Sequence, residues 1–391
     1  MSRKRSFKLP LFNNLNKEQL QAIHLPDGGT HLIIGGPGTG KSVVALWRVQ
    51  EHHRKATKCE YCFLVYNRLL YTAGNQLMEN MINSSTWISW FKKFFESIAN
   101  RPVNMNQATI DWNDVKSWLD SQVTLPKPNI SYLIIDEGQD MPPVFYSTLV
   151  NMGIENFYVV ADQNQQITAE KSSRRELEDL LAIEPDRVIE LKQNYRNTYP
   201  IARLARYFFT GDPASPAPEL PPQSVSVSTP QLIEYSDTGK ISICNIVDSI
   251  LKRSDNNPAK LIGIITPSNT IREKYFNLIT DRSKSISLDH TPRIITYNRV
   301  NSDECLFTEG GIFVLNAHAC KGLEFDAVFI ADIHEYKCYP GIEDSLKRLF
   351  YVMVARARDS VFMLKKEGSC RVDPILPKDQ SILKRLNKEN P

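Results

Sequence analysis

A chain of 391 residues, 42% hydrophobic and 23% charged, is long enough for two or three domains with cores of their own. A formal net charge of +3 excludes a generally basic surface, so any nucleic-acid contact has to come from a local groove. Seven cysteines without regular spacing argue against a disulfide framework, and no stretch is long and apolar enough to span a bilayer.

The basic start, with Arg3, Lys4, Arg5 and Lys8, has no long apolar run behind it, so a cytoplasmic protein of bacterial type without membrane contact is expected. Leu32-Ile33-Ile34 then leads into Gly35-Gly36-Pro37-Gly38-Thr39-Gly40-Lys41-Ser42, followed by an apolar-rich stretch from Val43 to Val49. A GxxxxGK[ST] loop that closes a strand and opens a helix turns backbone N–H groups inward at the positive end of the helix dipole. Lys41 then reaches the β/γ-phosphates and Ser42 supplies a hydroxyl for Mg²⁺. The strand-loop-helix setting argues against a chance glycine-rich turn.

Cys59 and Cys62 form a lone CxxC without a second pair nearby. Because Cys62 leads into Phe63-Leu64-Val65-Tyr66, a strand start is favoured over a zinc site. Further short apolar runs, Tyr132 to Ile135 and Phe157 to Ala161, alternate with helical or loop segments and predict a parallel α/β sheet. The run at Tyr132 ends in Asp136-Glu137-Gly138-Gln139-Asp140, carboxylates leaving the C-terminal end of a buried strand, where open α/β sheets bind ligands. Asp136 suits Mg²⁺ held through its water shell, and Glu137 suits orienting and deprotonating an attacking water.

Between Gly211 and Pro230 the residues Pro213, Pro216, Pro218, Pro221 and Pro222 mix with Ser and Thr, which reads as an extended linker. Beyond it the alternation resumes at Leu261 to Thr266, Gly311 to Leu315, Ala327 to Ala331 and Ser360 to Leu364. The expected division is a first α/β domain over 1–210, the linker over 211–230 and a second α/β domain over 231–391.

Around these two motifs, most of the chain resembles the superfamily 1 helicases of the UvrD/Rep type. The resemblance implies two tandem RecA-like P-loop NTPase domains, with parallel sheets and the nucleotide in the cleft between them. Leu15-Asn16-Lys17-Glu18-Gln19 resembles the Q motif, implying that Gln19 hydrogen-bonds the adenine edge and favours ATP. Asp162-Gln163-Asn164-Gln165 resembles motif III, with Gln165 sensing the γ-phosphate. Gln193-Asn194-Tyr195-Arg196 is similar to motif IV, implying that Tyr195 stacks on the base and Arg196 reaches the γ-phosphate. Leu315 to Phe325 resembles motif V, implying that Glu324 contacts ribose and that neighbours such as His318 touch nucleic acid. Arg348 to Arg358 resembles motif VI and makes Arg356 the arginine finger, a role suited to a permanent charge with a planar fork. The implied cofactors are ATP and Mg²⁺, and with Arg356 arriving from the far side of the linker, hydrolysis implies domain closure.

Val65-Tyr66-Asn67-Arg68 resembles motif Ia, and Thr86-Trp87-Ile88-Ser89-Trp90 the next single-strand motif. Tyr66, Asn67, Arg68, Thr86 and Trp87 are therefore expected along a nucleic-acid strand, DNA rather than RNA, where stacking worth roughly 1–3 kcal/mol per base tolerates any sequence. For Trp87 and Trp90 a core position reads nearly as well. The chain departs from the family at Val43, where arginine is usual, at Ile88, Asn316 and Ala355, and over Gln166 to Lys171, where an aromatic-rich stretch is missing. The intervals from Trp90 to Asp136 and from Thr266 to Phe313 leave little room for accessory domains. The resemblance implies ATP-driven translocation on single-stranded nucleic acid, 3′ to 5′, with helicase activity. The alternative is an ATP-dependent sensing module, of the bacterial antiviral-defence kind, that regulates a partner nuclease or effector without processive unwinding.

Overall fold

The computed structural model describes residues 3–54, 61–79, 82–130, 132–165, 171–211, 217–224, 227–236, 241–297 and 305–386. Cys59 and Gln166 to Glu170 lie outside the described residues.

The first part of the chain supplies strands β1 (Thr30–Gly35), β2 (Tyr61–Val65), β3 (Ser84–Thr86), a short antiparallel pair β4 (Met105–Asn106) and β5 (Thr109–Ile110), then β6 (Tyr132–Ile135), β7 (Phe157–Ala161) and β8 (Val188–Leu191). Apart from β4 and β5 they form a six-stranded sheet in the order β3-β2-β6-β7-β1-β8, with every pair parallel. Its helices are α1 (Lys17–Ile23), α2 (Lys41–Arg54), α3 (Arg68–Leu77), α4 (Trp87–Ala99), α5 (Trp112–Asp120), α6 (Pro143–Asn151) and α7 (Arg174–Leu180). Successive strand residues point to opposite faces, and both faces are covered. Leu32, Ile34, Leu133, Ile135 and Val159 pack with Phe91, Phe95 and Phe145 on one side. Ile33, Ile134, Tyr158 and Val160 pack with Ala22, Val44 and Val49 on the other.

After helix α8 (Tyr199–Tyr207) come β9 (Gln231–Tyr235), β10 (Leu261–Thr266), β11 (Ile294–Thr296), β12 (Gly311–Asn316), β13 (Phe325–Ile330), β14 (Ala357–Lys366) and β15 (Lys384–Leu386). They form a second, seven-stranded parallel sheet in the order β11-β12-β10-β13-β14-β9-β15. Helices α9 (Ile243–Asn256) and α10 (Asn269–Ser285) cover the face carrying Ile262, Ile264, Val314 and Phe329. Helix α11 (Glu343–Val354) covers the face carrying Ile265, Leu315, Ile330 and Met363. The fold class is the expected one, two mainly parallel α/β layers in tandem. Among the described residues no helix is long and apolar enough to cross a membrane.

Two segments depart from the simple division. Helix α8 falls within the span expected for the first domain, yet Ile201, Leu204, Ala205 and Phe208 are buried in the core of the second sheet. Its amphipathic face needs apolar cover, and the second sheet with α11 provides it. The N-terminal segment also crosses over. Arg5 N–H donates to Thr308 O at 2.8 Å, Gly310 N–H donates to Arg3 O at 2.9 Å, and the Phe7 and Phe307 rings lie 5.9 Å apart. A few residues later Trp47 Nε1 donates to Pro10 O at 3.2 Å, and Phe12 packs on Trp47 in the first core. The described part of the Pro-rich stretch is pinned, with Glu219 N–H donating to Lys192 O at 2.8 Å and Arg206 Nη2 donating to Pro218 O at 2.6 Å.

A candidate nucleotide site between the two sheets

The loop after β1 sits at the C-terminal edge of the first sheet and opens directly into α2. Gly38 and Gly40 have φ of 79° and 90°, a region that L side chains avoid. A Cβ at Gly40 would lie 2.3 Å from Gln19 Nε2, and one at Gly38 would lie 2.3 Å from Asn194 Oδ1, so the tight approach also requires glycine. Thr39 Oγ1 donates to Gly36 O at 2.8 Å. Lys41 Nζ donates to the same carbonyl at 2.9 Å and lies 3.4 Å from Asp162 Oδ2. The lysine is therefore held inside its own loop by groups that a phosphate oxygen would replace.

At the end of β6, Asp136 is buried and hydrogen-bonded to the Ser42 side chain. Burial, with Glu137 beside it, pushes the Asp136 carboxyl up to about 6. A hydroxyl and a carboxylate at this point form an oxygen donor set that fits Mg²⁺. Glu137 has a left-handed backbone with φ of 55°, uncommon for a non-glycine residue. Its Oε2 accepts from Gln139 Nε2 at 2.6 Å, while Gln139 Oε1 accepts from the Asp162 N–H at 2.9 Å, so one amide joins the two loops. Burial alone would raise the Glu137 carboxyl, but Lys321, Lys41 and Arg356 outweigh it and hold Glu137 below its ordinary value. Neighbouring carboxylates thus shift in opposite directions, which separates their chemical roles.

The second sheet closes the site. Lys321, on the loop after β12, reaches 2.6 Å from Asp140 Oδ2 and 3.8 Å from Glu137 Oε2, with all three side chains buried. Burial pushes Asp140 up to about 7 against the pull of Lys321. Arg356, between α11 and β14, is 1% exposed, and its Nε donates to Val352 O at 3.0 Å. Arg196 Nη2 meets Glu324 Oε1 at 2.6 Å, and Arg196 Nη1 donates to Ala355 O at 3.3 Å. The adjacent Tyr195 N–H donates to Gly38 O at 2.8 Å, so the Asn194–Asn197 turn touches both halves. Burial opposes ionisation of Glu324, but Arg196, Arg358 and Arg5 hold its carboxyl below the ordinary value.

Several of these groups surround a cavity of about 270 Å³. Pro37, Gly38, Gly40, Lys41, Ser42, Asp136 and Glu137 line it from the first sheet, and Glu324 and Arg356 from the second. Tyr195 and Arg196 line the side between them. Gly35 and Gly36 lie at the base of the loop, where Gly35 abuts Thr39 Oγ1 and Leu191. Gln19 is buried beside the loop. Its Nε2 donates to Thr39 O at 3.0 Å and its Oε1 accepts from the Asn16 N–H at 3.0 Å, so here it buttresses the loop and caps α1. The turn Gln163–Gln165 approaches α11, and the Gln165 side chain lies outside the described residues.

The expected strand contacts divide. Tyr66 is half-buried and Arg68 and His318 are exposed. Asn67 caps α3 by accepting from Leu70 N–H at 2.9 Å, and Thr86 Oγ1 donates to Ser89 Oγ at 2.9 Å. Trp87 is corrected to a core residue. It is 6% exposed and packs against Trp112 and Phe145, with ring centroids at 6.5 and 5.3 Å. Sequence reasoning missed Gln139, Asp140 and Lys321 as site residues, although the first two follow Glu137 directly and Lys321 lies within Leu315 to Phe325.

Residues 19–171, which carry the phosphate loop and the acidic run, match the AAA domain family. Residues 271–368, which carry Lys321, Glu324 and Arg356, match the UvrD-like helicase C-terminal domain family. A solved structure described as the C-terminal domain of a possible DNA helicase from Lactobacillus plantarum WCFS1 is 18% identical and covers 49% of this chain and 97% of that chain. Its TM-score of 0.34 is too loose a likeness to bear on function. No curated protein matches the chain.

Proposed function

From the premise that this chain is a UvrD/Rep-like, ATP-hydrolysing helicase, we propose that it translocates 3′ to 5′ along single-stranded DNA in the cytoplasm, using ATP and Mg²⁺ in the cleft between the sheets. The observation that carries this reading is a single cavity lined by Lys41 and Glu137 from one sheet and Arg356 from the other. Lys41 would take the β/γ-phosphates, Ser42 and Asp136 would hold Mg²⁺, and Mg²⁺ would offset phosphate charge. Glu137, kept ionised by the cations around it, accepts the proton of the attacking water. Arg356 and Arg196 face the charge that develops on the transferred phosphoryl group. A ligand that touches both halves closes the cleft, and products that no longer bridge them let it open. The moving units are the two sheets with their helices, the second beginning ahead of α8. A strand gripped by both units along Tyr66, Asn67, Arg68 and His318 is stepped along once per turnover.

The test is the ATPase rate against single- and double-stranded DNA and RNA at two salt concentrations, since phosphate contacts weaken with salt. Stimulation by single-stranded DNA that is lost in Lys41→Ala and Glu137→Gln is expected. A folded preparation that no strand stimulates refutes the reading, and displacement on 3′- against 5′-tailed duplexes tests polarity.

One observation favours a second reading. Among the described residues only α4, the β4–β5 pair and α5 lie between β3 and β6, and only α10 and β11 between β10 and β12. A motor this compact suits an ATP-dependent sensor that clamps nucleic acid and regulates a partner nuclease or effector. ATP-dependent binding without strand separation, and a stoichiometric partner on purification, would favour it.

A further inference from the structure

The N-terminal strap forms part of the cavity wall. Arg5, Phe7 and Leu9 line it together with the phosphate loop, all ahead of residue 19, where the AAA match begins. Arg5 is 9% exposed, unusual for an arginine. Its Nε lies 3.3 Å from Asp326 Oδ2, its Nη2 donates to Glu324 O at 3.4 Å, and its guanidinium carbon is 5.9 Å from the Phe7 ring centroid. These contacts orient the planar group. The remaining Nη1 is buried and has no hydrogen-bond partner among the described residues. The Nε of Arg196, another residue lining the cavity, is also buried without a partner among the described residues. Buried donors of charged groups are costly to leave unmade, so two of them beside one cavity call for a ligand rich in acceptor oxygens.

We propose that Arg5 is a nucleotide-binding residue, whose Nη1 donates to an oxygen of the nucleoside triphosphate on the strap side of the cleft. This rests on the cleft being an ATP site. Because two of its three nitrogens are engaged by the second sheet, Arg5 meets the ligand pre-oriented, and little rotamer freedom is lost on binding. The strap itself is hydrogen-bonded to residues 308–310. A nucleotide held by Lys41 would therefore tie the first sheet to the second through Arg5 as well as through Arg356.

The test compares wild type with Arg5→Ala, Arg5→Lys and, as a control on the same strap, the exposed Lys4→Ala. Affinity for a fluorescent ATP analogue, KM and kcat for ATP, and thermal unfolding are measured on the full chain. Arg5→Ala is expected to raise Kd and KM for ATP by roughly tenfold with kcat changed less than about twofold. Arg5→Lys is expected to fall between, because one ammonium cannot meet both Asp326 and the ligand in the fork geometry. Lys4→Ala should match wild type. Should Arg5→Ala not fold, Arg5→Lys decides, and a wild-type Kd in that variant overturns the proposal. A folded Arg5→Ala with wild-type Kd, or with lower kcat at unchanged KM, also overturns it. Wild-type protein that binds no ATP analogue overturns the nucleotide reading too, whereas wild-type binding unaffected by Arg5→Ala overturns this inference alone.

Discussion

Arg196 and Glu324 meet at 2.6 Å across the cleft, one on the turn after β8 and the other just before β13. If these two residues serve γ-phosphate and ribose, the nucleotide has to part them to bind. A double-mutant cycle of Arg196→Ala and Glu324→Ala on unfolding free energy should give a coupling of about 0.5–1 kcal/mol, modest because Glu324 is partly exposed. With a non-hydrolysable ATP analogue present the coupling should fall towards zero. Coupling that survives the analogue would show that the pair does not yield to the nucleotide.

The two aromatic residues expected on the strand path separate cleanly. Trp87 belongs to the core with Trp112 and Phe145. Trp87→Ala should cost about 3–5 kcal/mol of stability, the range for a buried aromatic. Tyr66 is half-buried beside the same core. Tyr66→Ala should weaken single-strand binding by about 1–3 kcal/mol, with the larger effect on affinity and not on unfolding. Denaturant unfolding and a strand-binding titration on both variants check this, and the reverse pattern would be contrary.

Gly36 is pressed by the Pro-rich segment. A Cβ there would stand 2.5 Å from Pro218 Cδ and 2.8 Å from Pro218 Cγ. Gly36→Ala should therefore destabilise by about 1–3 kcal/mol, as overpacking does. Adding Pro218→Ala, which removes the crowding atoms, should recover most of the loss. Additive losses in the double variant would mean that the clash is not the cause.

Asp140 gives a pH dependence whose sign is set by its folded state. Burial pushes its carboxyl up to about 7, whereas an unfolded aspartate titrates near its ordinary value of 3.8. A raised folded value means that the protonated group favours the fold: the stability contribution is present at low pH and is lost as pH rises through about 7. The stability of wild type relative to Asp140→Asn should thus fall between about pH 4 and pH 7 and level off above it. A difference that stays constant or grows over that window is the contrary result.

Most of the central strands were legible because parallel strands covered on both faces are written as unbroken apolar runs, as Leu133 to Ile135 and Ile262 to Ile265 are. Strands β8 and β9 were not, since Glu190 and Glu234 interrupt them and only two residues of each are buried. β3, Ser-Ser-Thr, has no apolar residue at all. The phosphate loop and the Asp136-Glu137 pair were legible because their chemistry is local in the chain. The Lys321–Asp140 pair joins residues 181 apart, and Arg5 meets Asp326 across a greater span, so no short pattern announces either. Trp87 misled for the same reason, because its neighbours Trp112 and Phe145 arrive from other elements.

The placement of α8 also bears on how the chain can be divided. Among the described residues Ile201, Leu204, Ala205 and Phe208 are buried in the core built on the second sheet and α11, although they precede the prolines. A fragment ending at residue 210 would carry this greasy face into water and invite self-association. Cut instead between Leu191 and Thr198, the helix stays with the half that shelters it.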